Sequence, residues 1–146
     1  MSDWANKLAD VRKQEMEIER IDKEKILSDR RFVDARKDNK WVELRKATKD
    51  KVDELNSAMG NDDIKFEGAV DHNRFYIKVK KKGYFIEVQF IPSSNSLKTN
   101  GPTYSLAISD KEELYWRVGD GTFSNYQYSS SDLAETIVEE VFKKIR

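Results

Sequence analysis

The sequence predicts an α+β fold: a long N-terminal helix or two helices, an antiparallel meander of about five or six strands, and a C-terminal helix packed on the sheet. Three observations carry this expectation. From Ser2 to about Asn39 there is neither Pro nor Gly, and Lys, Arg, Glu, Ala and Leu dominate. Between Arg74 and Ile91 apolar residues recur with a period of two on either side of Lys81-Lys82-Gly83. Beyond Asp132 a broad apolar face recurs at helical spacing. Runs of helix, then strands, then helix argue for α+β over a doubly wound sheet.

The first stretch opens on Ser2 or Asp3 as a cap. Trp4, Leu8, Val11, Ile18 and Ile21 then follow spacings of three, four or seven, interrupted by Glu15. The pattern slips through Ile26, Leu27, Phe32 and Val33. A narrow stripe flanked by charge resembles a short coiled-coil seam. A continuous helix here would be roughly 50 Å long at 1.5 Å per residue, too long to lie wholly on a small domain. Part of it therefore projects or pairs with another chain, unless it folds back, solvated, on its own domain. Asp38-Asn39-Lys40 is the expected break, since Asp or Asn can cap a new helix. That divides the chain into a helical extension over 1–38 and an α+β domain over 39–146.

Trp41, Leu44, Thr48, Val52, Leu55 and Met59 form a cleaner amphipathic face, which Gly60 ends. Ile64–Val70 reads as a short strand, and Asp71-His72-Asn73 as the turn into the central hairpin. In that hairpin Phe75, Ile77 and Val79 oppose Tyr76, Lys78 and Lys80. Tyr84, Ile86, Val88 and Phe90 likewise oppose Phe85, Glu87 and Gln89. Gly83 supplies the positive φ that such a turn requires. Pro92–Pro102 reads as the longest irregular stretch, a plain excursion or a binding loop. Tyr104–Ile108, Leu114–Val118 and Thr122–Tyr128 are the remaining strands, with Gly119-Asp120-Gly121 turning the chain into the last. Asp132 and Glu135 have capping-box spacing ahead of the final helix, whose Lys143, Lys144 and Arg146 suit the negative end of its dipole.

Composition narrows the function. The chain has 146 residues, 37% of them charged, with 27 basic and 27 acidic side chains. The balance holds in each part, with 15 basic and 14 acidic residues over 1–60 and 12 and 13 over 61–146. Neither part is a basic nucleic-acid tail. The absence of cysteine removes disulfides, thiolate chemistry and cysteine zinc sites. No leader-like apolar region and no run near 18 apolar residues occurs, so a soluble, cytoplasmic protein without membrane contact is expected.

Catalytic candidates are few. The single histidine, His72, sits in a turn, where a solvated structural role is the ordinary one. Ser129–Ser131 reads as loop and helix cap. Glu67, Asp71, Glu87, Asp110, Glu112, Glu113 and Asp120 have no spacing that forces two of them together, and Asp62-Asp63 with Asp71 lacks the calcium-loop pattern. Gly119-Asp120-Gly121 is no phosphate loop, since no GK[ST] follows. The protein is therefore expected to be no enzyme and to need no cofactor or metal.

Two binding surfaces remain. The leading expectation is a non-catalytic interaction or assembly module, with Trp4, Leu8, Val11, Ile18 and Ile21 as its contact to a protein partner or a second copy. The alternative is nucleic-acid binding by the outer sheet face and the Lys78–Lys82 hairpin tip, through Arg74, Tyr76, Lys78, Lys80, Lys82, Tyr115 and Arg117. Glu67, Glu87 and Gln89 on the same face weaken its field. Lysines at a hairpin tip are also ordinary as solvated turns or guards of a sheet edge. A third reading makes Pro92–Pro102 a lid over carboxylates.

Overall fold

The computed structural model describes residues 3–68, 72–119 and 126–145. The element order is α1 (Asp3–Met59), β1 (Ile64–Gly68), β2 (Arg74–Val79), β3 (Tyr84–Ile91), β4 (Ser96–Lys98), β5 (Thr103–Ile108), β6 (Leu114–Val118) and α2 (Ser130–Ile145). The strands form one antiparallel sheet in sequence order, and α2 packs on it. This is the α+β architecture that the sequence predicts.

Of the two helical arrangements, the chain adopts the continuous one, 57 residues long. The break expected at Asp38-Asn39-Lys40 does not form. Asp and Asn each cost only about 0.7 kcal/mol in a helix interior, and no Gly or Pro precedes Gly60 to enforce a stop. The true end is at Gly60, which takes φ +69°. Its N–H donates to the Ser57 carbonyl at 3.2 Å, and the Asn61 N–H donates to Asn56 at 3.1 Å. That pair of bonds is the Schellman closure. The Asn56 side chain then ties the helix end to β1, donating to the Ile64 carbonyl at 2.6 Å and accepting from its N–H at 3.3 Å. Packing separates the chain into two units, Met1–Phe32 and Val33–Arg146. Ser2, one of the two expected caps, lies outside the described residues.

Alternation sets the sheet in the second unit. Phe75, Ile77 and Val79 of β2 are buried, as are Ile86, Val88 and Phe90 of β3. The register pairs Val79 with Tyr84 across a turn in which Gly83 has φ +64°. The expected strand Ile64–Val70 is described only to Gly68, and Val70 and Asp71 lie outside the described residues.

Pro92–Pro102 is not one irregular loop. Ser96–Lys98 pairs with β3 on one side and β5 on the other, and Leu97 is fully buried. One apolar residue among polar ones gives no visible alternation, so the strand hides in the sequence. Asn95, at φ +52°, turns the chain into it. The expected strand Thr122–Tyr128 and its turn lie largely outside the described residues, Asp120–Asn125 among them. Tyr128 does bridge Trp116 with reciprocal 2.9 Å bonds.

One sheet face carries the core. Trp41 stacks on both Phe75 and Phe90, each at 5.5 Å, and Phe90 meets Trp116 edge-on at 6.3 Å. Leu44, Thr48 and Val52 continue the buried side of α1, and Leu133, Ala134, Ile137, Val138 and Val141 that of α2. Ser129, not Asp132, caps α2: its hydroxyl accepts the Asp132 N–H at 3.1 Å. At the other end Lys82 donates to the carbonyls of Lys144 and Ile145, both at 3.1 Å. Hairpin tip and helix end thus hold each other.

Burial pushes the Tyr104 phenol up to about 12, helped by Tyr128 and Glu140. In the unfolded chain a tyrosine ionises near its model value of 10.0. The folded state therefore loses stability as pH rises from about 10 to 12, because the unfolded chain releases this proton first. Urea unfolding of the native chain and Tyr104→Phe should show their difference shifting against the native chain over that window. A pH-independent difference would disprove the assignment.

Candidate functional site

The seam residues all lie on the first unit. Trp4 is 72% exposed, and Leu8, Val11, Ile18 and Ile21 are each more than half exposed. Met16, Ile26 and Leu27 are exposed to a similar degree. No side chain from Asp3 to Arg31 is buried. At 100° per residue, Ile21, Ile18, Val11, Trp4 and Leu8 fall within an arc of about 140°, and Glu15 and Asp22 fall inside the same arc. Arg12 answers Glu15 at 3.3 Å and Glu19 at 3.6 Å. Arg20 holds Glu17 in a short pair and Glu24 at 2.6 Å. The guanidinium of Arg20 keeps the Glu17 carboxyl below the usual carboxylate range. Such exposed, solvent-screened pairs favour a helix weakly and do not cover its apolar stripe.

On the outer sheet face Arg74, Tyr76 and Lys78 stand on β2, as alternation requires. Their cations are already engaged. Lys78 binds Glu67 at 2.8 Å, Lys65 shares that carboxylate at 3.2 Å, and Arg74 meets Glu87 at 3.4 Å. Glu67 is accordingly held below the usual carboxylate range, chiefly by its bond to Lys78. Lys80 binds Asp62 at 2.6 Å and Lys81 lies 3.8 Å from Asp63, while Lys82 caps α2.

Tyr115 and Arg117 are not beside this group. They stand on β6, four strand spacings from β2, about 19 Å away. Ser105 and Ala107 face them across β5. The aromatic neighbour of Tyr76 is instead Phe85, at 6.0 Å edge-on and 46% exposed. Phe85 is a surface aromatic that the charge pattern does not single out, although its place beside Glu87 and Gln89 in the alternation marks its face.

His72 is exposed, and what the fold uses is its backbone carbonyl, which accepts the Trp41 indole N–H at 2.7 Å. Among the described residues no three His, Asp or Glu side chains gather to hold a metal ion; Asp71 and Asp120 lie outside them. The segment after β4 is pinned, with the Asn100 amide donating to the Phe85 carbonyl at 3.1 Å and accepting from the Glu87 N–H at 3.2 Å. The cavity beside it, lined by Tyr84, Tyr104, Ile137 and Lys144, contains one carboxylate, Glu140. No helix among the described residues is long and apolar enough to cross a membrane. No protein-family model, curated protein or solved structure matches the chain.

Proposed function

We propose that this protein is a non-catalytic assembly module, in which Val33–Arg146 is the folded body and the preceding helix is the attachment segment. The observation that carries the reading is the stripe Trp4, Leu8, Val11, Ile18 and Ile21, more than half exposed on a helix that buries no described side chain before Val33. Helices gain most of their stability in proteins by burying an apolar face, and a contiguous exposed one marks a contact surface. A tryptophan at one end adds an anchor of the kind that dominates interface energetics.

Nucleic-acid binding by Arg74, Tyr76, Lys78, Lys80, Lys82, Tyr115 and Arg117 has less support. A phosphate backbone must displace Glu67, Glu87 and Asp62 from the cations it would use, and the aromatic residues stand on distant strands.

The test compares native masses in gently lysed source cells for the unaltered chain and for Trp4→Ser with Leu8→Ser, Val11→Ser and Ile18→Ser. The unaltered chain is expected in a species heavier than one chain, and the variant at the mass of one chain. Near-UV dichroism of Trp41 and Trp116 verifies that the body of the variant is intact. Equal masses for the two would sink the reading.

A further inference from the structure

We infer that the occupant of the exposed stripe is a second copy of this chain, its helix running antiparallel to the first about a dyad near Gln14 and Glu15. The inference rests on the assembly reading and adds the partner and its direction.

The argument is charge and register. Residues 7–13 carry Lys7, Arg12 and Lys13 against Asp10 alone, whereas residues 15–24 carry Glu15, Glu17, Glu19, Asp22 and Glu24 against Arg20 and Lys23. A parallel pair in register lays the acidic segment on its own copy. It also sets Asp22 against Asp22 within the apolar arc, where the antiparallel register brings Asp22 level with Lys7; Glu15 lies beside its own copy in either arrangement. An antiparallel pair lays the basic segment on the acidic one. With residue 11 opposite residue 18, Val11 meets Ile18 of the second copy twice, once on each side of the dyad. Trp4 then falls level with Lys25 and next to Ile26, another exposed apolar residue.

The flanks agree with this register. Arg12, Glu15 and Glu19 lie within about 60° of one another around the helix. Arg12 of the second copy comes level with residue 17, about 3 Å along the axis from both Glu15 and Glu19. The cation that already answers these two carboxylates within one helix, at 3.3 and 3.6 Å, is thereby supplied again across the pair. In antiparallel pairs like flanks face each other, which is what this placement needs. Complementary flanks of this kind set orientation and partner choice in paired helices.

The chain has no cysteine, so single introduced thiols report the geometry directly. The purified full chain is expected to scatter light as a dimer. Under a mild oxidant, Gln14→Cys should cross-link to itself. Val11→Cys and Ile18→Cys should each stay uncross-linked alone, since like residues are about 10 Å apart along the axis, and should cross-link when mixed. Self-linking of Val11→Cys and of Ile18→Cys would overturn the antiparallel arrangement. A monomer with no cross-link in any combination would overturn self-pairing altogether. In that case a heavier species in the native lysate leaves the assembly reading standing with a different partner, and one chain's mass there removes both.

Discussion

Trp41→Ala should lower the unfolding free energy by about 3–5 kcal/mol, the range for truncating a large buried aromatic. Trp41 is the joint between α1 and the sheet. Its ring lies on Phe75 and on Phe90, and Phe90 in turn meets Trp116, so one side chain closes a chain of aromatics running from β2 to β6. Its indole N–H also fixes the carbonyl of His72 at the entry to the central hairpin. Alanine leaves a void between two rings that cannot collapse, because both belong to paired strands held in register by their neighbours. Trp41→Phe separates the two contributions. It keeps most of the stacking and loses the bond to His72, costing about 1 kcal/mol for the hydrogen bond plus a share of the contact area. Chemical denaturation followed by far-UV dichroism measures both. A loss below about 1 kcal/mol for Trp41→Ala would mean that α1 is not docked through this residue.

The residues that made the fold legible are those whose local chemistry and tertiary role agree. Phe75, Ile77 and Val79 alternate because one face of β2 is core, and Gly60 and Gly83 take the positive φ that ends a helix and turns a hairpin. Where the two part, the sequence misleads. Asp38 and Asn39 look like a cap, yet nothing there forbids a helix, so α1 runs through. Ser96-Leu97-Lys98 looks like loop because a three-residue strand between two longer ones needs only one buried side chain.

The lysines of the central hairpin show a different gap. Their charges are plain in the sequence, but their partners depend on register and on distant elements. Asp62 reaches Lys80 from the segment before β1, and the end of α2 reaches Lys82. Without those partners the tip reads as a free basic patch. The helical stripe was legible as a pattern from Trp4 onward. Whether it is buried against its own domain is a matter of packing, which periodicity alone does not encode.

Removing residues 1–32 should abolish association while leaving the folded body intact. Val33 is the first buried side chain of α1, and every other core residue follows it. The segment removed carries over half of α1 but no buried group, so the free energy of unfolding of the remainder should change by no more than about 0.5 kcal/mol. The new start lies within a helix whose later turns are held by Trp41, Leu44, Thr48 and Val52, and fraying of one turn costs little. The same deletion removes every residue of the stripe, including Trp4 at its far end. Light scattering should therefore fall from the mass of a dimer to that of a single shortened chain, while cooperative melting persists. The three tryptophans give an independent reading. Trp4 is exposed and its emission should shift to the blue as pairing covers it, whereas Trp41 and Trp116 are buried with or without association. Diluting the full chain should then move its emission to the red with the same midpoint as the loss of mass, and the truncated chain should show no such change. Loss of cooperative melting on truncation would instead make the helix a structural part of the body, and the exposed stripe would then have to be explained without a partner.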